Sequence, residues 1–118
     1  MIKYKKLSEK RRIFMIGLGK WACNVSSMFF SGEVKFTISD NEGEYGFEIE
    51  IPGVDIPDFT LNSVEEDDET LTILAGTSLL PGKEAEVVIN FDEDSFDGFI
   101  KVPFIGKVKF KDGHKIEE

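Results

Sequence analysis

The chain is poor in the residues that carry out chemistry, with one cysteine, Cys23, and one histidine, His114. A single cysteine excludes an intrachain disulfide, so the fold is held by packing alone, as suits a reducing compartment. A single histidine in a polar stretch leaves no imidazole to activate a serine or cysteine nucleophile. One cysteine and one histidine also fall short of the four ligands of a zinc site. No apolar run approaches the roughly 20 residues that span a bilayer; the stretch from Ile13 to Gly19 is cut off by Lys20. Lys10-Arg11-Arg12 ahead of that stretch has the outline of an export signal. However, Trp21-Ala22-Cys23 supplies neither a small-residue cleavage site nor a lipobox. The expectation is a cytoplasmic chain that is not an enzyme, with no cofactor, no bound metal and no integral membrane segment.

Cations are also scarce after the first twenty residues. That opening segment holds Lys3, Lys5, Lys6, Lys10, Arg11, Arg12 and Lys20 against Glu9 alone, and no arginine follows Arg12. With seven cations against one acid there and a net charge of −9 over 118 residues, the remainder carries fifteen surplus negative charges. A body that acidic repels a phosphate backbone, so nucleic acid is excluded as a partner. The carboxylates are gathered in runs such as Glu65 to Glu69 and Asp92-Glu93-Asp94, which read as solvated turns. Asp92-x-Asp94 begins like a calcium loop, but Phe96 takes the fifth position and Pro103 the twelfth, where such a loop needs oxygen ligands.

What the chain has in quantity is apolar surface with a two-residue period. Apolar residues make up 41% of it, and 11 residues are Phe. Val34, Phe36 and Ile38 alternate with polar neighbours, as do Tyr45, Phe47, Ile49 and Ile51. Leu71, Ile73 and Ala75 share one parity, and so do Ala85, Val87, Ile89 and Phe91. Phe59 with Leu61, Phe96 with Ile100, and Val108 with Phe110 give three further strands; Trp21, Cys23 and Val25 give the first. Each such strand has one dry face. Short turns carrying Gly, Pro, Asn and Asp between them forbid the long crossovers of a parallel sheet. The expected fold is all-β: an antiparallel up-and-down meander of about eight strands that closes into a small barrel, with a β-sandwich as the alternative. Residues 1–18 are expected to form a basic segment with a short amphipathic helix, 19–112 the barrel, and 113–118 a polar tail that frays. Phe99 has outward parity, so something else covers it or it lies exposed.

Gly19-Lys20-Trp21 at the head of the first strand, with Ser31-Gly32-x-Val34-x-Phe36-x-Ile38 and the meander that follows, resembles the lipocalin-like (calycin) barrels. Phe96 to Val108 is similar to the closing strands of bacterial domains of that kind whose function is unknown. The resemblance implies that Trp21 closes one end of the barrel and that the interior takes a small apolar ligand. It does not supply the paired cysteines of secreted lipocalins, nor an arginine to grip a carboxylate. A second stretch, Phe47 to Phe59 with Pro52-Gly53-Val54, resembles small heat-shock proteins and implies a chaperone-like module.

The interior candidates for ligand contact are Trp21, Phe36, Tyr45, Phe47, Phe59, Phe91 and Phe110. The alternative is a structural or protein-interaction module whose core these rings fill, with Phe99 or the Pro52-Gly53 edge meeting a partner or a second copy in a homodimer. The basic opening segment is expected to lie against the acidic barrel or in solvent, with a contact to an anionic membrane or partner as the alternative.

Overall fold

Alternating apolar and polar residues can satisfy both hydrogen bonding and burial only if the strands pair and their dry faces turn toward one another. The computed structural model, which describes residues 15–27, 31–53, 58–77 and 81–117, resolves the pattern in that way. Its strands are β1 (Gly19–Ser26), β2 (Ser31–Asn41), β3 (Glu44–Glu50), β4 (Phe59–Asp67), β5 (Thr70–Thr77), β6 (Ala85–Asp92), β7 (Ser95–Val102), β8 (Gly106–Lys109) and β9 (Lys111–Glu117). They form one antiparallel sheet in the order β3-β2-β1-β9-β7-β6-β5-β4, with β8 also paired to β7. The sheet curls into a nearly closed barrel.

Eight strands become nine because the last of them is bent. The first half of β7 pairs with β9 (Phe96↔Gly113) and the second half with β8 (Ile100↔Val108). Between the two, the Phe110 N–H donates to Gly98 O at 3.0 Å, and Asp112 takes a φ of 56°. One extra residue is accommodated at this bend, as in a β-bulge. Gly98 itself has a φ of 144°, and a Cβ there would overlap the Val88 carbonyl oxygen. A second bulge, between Leu61 and Ser63 on β4, shifts the parity so that Val64 packs against the core.

Closure runs through β1 and β9, and the seam is left between β3 and β4, the two ends of the strand order. At one end of the seam the Tyr45 hydroxyl donates to the Glu66 carboxylate and accepts the Ile16 N–H at 2.9 Å. Toward the other end Ile49 is 38% exposed despite its inward parity.

Three expectations need correction or placement. The polar stretch after Asp112 does not fray; it is β9, paired with β1 and β7, because those two strands offer it hydrogen-bonding edges on both sides. The acidic run is a turn only at Asp68-Glu69, since Glu65, Glu66 and Asp67 complete β4 opposite Thr72, Leu71 and Thr70. The helix expected within 1–18 falls on residues 1–14, outside the described residues; Met15 to Leu18 contain a turn.

The core lies where β1, β2, β5, β6 and β7 converge. Trp21, Cys23, Ile38, Leu71, Ile73, Ile89, Phe91 and Phe96 are buried there. No polar or charged side chain among the described residues is buried, so burial is driven by apolar surface without the expense of desolvating polar groups.

Candidate functional site

The barrel interior is the first place to look, because the alternation aims most of the candidate rings at it. Trp21 is 1% exposed, and its Nε1–H donates to Gly17 O at 2.8 Å, satisfying the one polar atom it takes into the core. Its ring lies 4.8 Å from Phe91 and 5.7 Å from Phe96, centroid to centroid. Phe96 also meets Phe36 at 5.3 Å, Phe91 at 6.1 Å and Phe110 at 6.0 Å. These are tilted and edge-to-face contacts, the arrangements the ring quadrupoles prefer. Tyr45 stacks on Phe47 at 6.0 Å beside the seam. Six of the seven candidate rings therefore converge on one apolar cluster, with Phe96 as its hub. At the floor, the Lys115 ammonium stands 5.3 Å from the Trp21 ring.

Phe59 does not join the cluster. It lines an open cleft of about 760 Å³ on the rim, together with Asp58, Thr60, Asn62, Lys83, Glu84 and Pro103. Polar side chains there already serve one another: the Asn62 Nδ2–H donates to Glu84 Oε2 at 2.6 Å.

Beside the cleft projects the β7–β8 turn, formed by Pro103, Phe104 and Ile105 and closed by the Ile105 N–H donating to Val102 O at 3.2 Å. Phe104 is 86% exposed and has a φ of 72°, a conformation that bulky residues seldom adopt. Ile105 is 45% exposed. Lys83 lies 5.8 Å from the Phe104 ring, and Lys107 lies 4.2 Å from the ring of Phe99. Phe99 is thus half-buried on the outer wall under a lysine. The turn had a signal in the sequence, two apolar residues held between Pro103 and Gly106 and flanked by lysines, but alternation does not place residues between strands.

The remaining reactive groups are sequestered or solvated. Among the described residues no group of three or more His, Cys, Asp or Glu is placed to hold a metal ion. His114 is exposed on β9, with Nδ1 2.7 Å from Asp112 O. Cys23 is 2% exposed, and burial, aided by the negative charge of Glu33, pushes its thiol up to about 11. A native sample at pH 8 is therefore expected to leave a chromogenic disulfide reagent untouched, and the unfolded chain to release one equivalent. The same displacement fixes a sign with pH. The thiol is more readily ionised in the unfolded chain, so its contribution to stability is intact below pH 9 and is lost as the pH rises toward 11.

Comparison with family models, with curated proteins and with solved structures finds no match for this chain.

Proposed function

We propose that the chain is a cytoplasmic, non-enzymatic module of lipocalin-like form whose core is filled by its own side chains and whose contacts are made from the outer surface. The observation that carries this reading is the position of Phe96, which touches four other rings within 6.1 Å across the interior. Barrels of about eight strands have an interior just wide enough for side chains to fill. The lipocalin-like kinship is supported by Gly19-Lys20-Trp21, since that tryptophan is buried at the head of β1. The exposed turn at Phe104 and the cleft beside it provide an outer surface on which a partner can be held.

A second reading, carriage of a small apolar ligand, draws on the unpaired seam between β3 and β4, where Ile49 is exposed. The two separate in a titration with a hydrophobic fluorescent probe followed by fatty-acid displacement. The filled core predicts no saturable binding by a folded sample. Displacement at one ligand per chain overturns it in favour of the carrier.

A further inference from the structure

We infer that the β7–β8 hairpin docks the module on an anionic phospholipid surface, Phe104 and Ile105 entering the headgroup boundary while Lys83, Lys101, Lys107 and Lys109 meet the phosphates. The inference rests on the filled-core reading, because it gives the outer surface the work that a ligand cavity would otherwise do.

Charge supports this choice of partner. Of the seven lysines beyond Lys20 in this acidic chain, five fall between residues 101 and 115. Lys101 stands directly opposite Lys107 across the β7–β8 pair. On its other side Lys101 is opposite Glu86 of β6, so one carboxylate serves that lysine while Lys107 and Lys109 on β8 have no acidic residue opposite them in the β7–β8 pair. Lys101, Lys107 and Lys109 are exposed and share the outer face with Phe99, so three cations surround one ring on that side of the hairpin. The acidic turns around Glu42, Asp68 and Glu93 lie at the opposite end of the barrel, because successive hairpin turns of a meander alternate between ends. The three acidic turns therefore face away from a lipid surface met by the hairpin, where the lysines stand beside Asp58, Glu84 and Glu86.

Size supports it as well. A stable protein interface needs about 800 Å² from each partner, and a convex tip with two apolar side chains falls well short of that. A bilayer boundary accepts single aromatic and aliphatic side chains when lysines assist from the polar side.

The test uses the full chain and vesicles of phosphatidylserine and phosphatidylcholine in equal parts, against phosphatidylcholine alone. The chain is expected to sediment with the first and not the second, and to be released by high salt. Phe104→Ser with Ile105→Ser should abolish sedimentation at an unchanged urea midpoint, although the basic segment 1–18 is intact. Lys101→Gln with Lys107→Gln should weaken it by roughly tenfold or more. Phe104→Cys carrying an environment-sensitive dye should shift its emission to the blue on the serine-containing vesicles; buried Cys23 escapes labelling. A parent chain that ignores anionic vesicles, or a serine double variant that binds as the parent does, overturns the inference, and in the first case a protein becomes the partner to seek. Either failure is separable from failure of the filled core, which only stoichiometric displacement of the probe overturns.

Discussion

Trp21→Ala is expected to lower stability by about 3–5 kcal/mol, the usual penalty for emptying a buried aromatic site. Few side chains here have so many dependants. Phe91 and Phe96 lean on the indole, Lys115 stands over it, and its Nε1–H secures Gly17. Because it is the only tryptophan, the loss is best followed by far-ultraviolet circular dichroism through a urea titration. A domain of this size has about 5–15 kcal/mol in all, so the variant should lose about a fifth or more of its margin. Trp21→Phe separates packing from hydrogen bonding: it keeps a ring and forfeits the bond to Gly17, at about 1 kcal/mol. Equal midpoints for parent and alanine variant would mean that the indole does not hold the interior together.

Gly98→Ala should be comparably severe, although it adds a single methyl group. The new Cβ would overlap the Val88 carbonyl oxygen, and backbone cannot rotate aside as a side chain can. Strain at a φ of 144° adds to that overlap, and the two effects together are expected to cost about 3–5 kcal/mol. Gly53→Ala is the control, with a φ of 77° but nothing within 4 Å of where its methyl carbon would sit. It should lose only about 1–2 kcal/mol, the ordinary penalty for a left-handed residue. Matching losses in the two variants would place the cost in φ alone and remove the close approach of β6 to β7.

Much of the barrel was legible because alternation reports directly on a sheet with one dry face. Ile38, Leu71, Ile73, Ile89 and Phe91 are buried as their parity requires. β9 was hidden for a physical reason. Its positions beside the core are held by Gly113, where a Cβ would overlap the Phe96 carbonyl oxygen, and by Lys115, whose ammonium sits over the Trp21 ring. Neither is an apolar residue, so no period appears, and pairing follows from the edges of β1 and β7. The bulge on β4 was equally silent, since an inserted residue changes parity without changing composition. Among the ring residues, Phe59 departed from the others because it is the first residue of β4, where it lines the cleft. The Phe104 turn could not be placed from alternation, which tells inside from outside along a strand and is mute where a strand ends.

The pairing of β1 with β9 also sets an order of events during folding. Trp21 finds Lys115, and Ala22 finds His114, only after nearly the whole domain has been synthesised. Before that moment β1–β3 and β4–β7 can exist only as two open ribbons, each with its inner face wet. Contacts so distant along the chain slow folding, and uncovered strand edges in such intermediates invite association with other chains. The nascent protein is therefore most vulnerable in the interval before β9 reaches its place, and a chaperone that shields the inner face of β1 would act there.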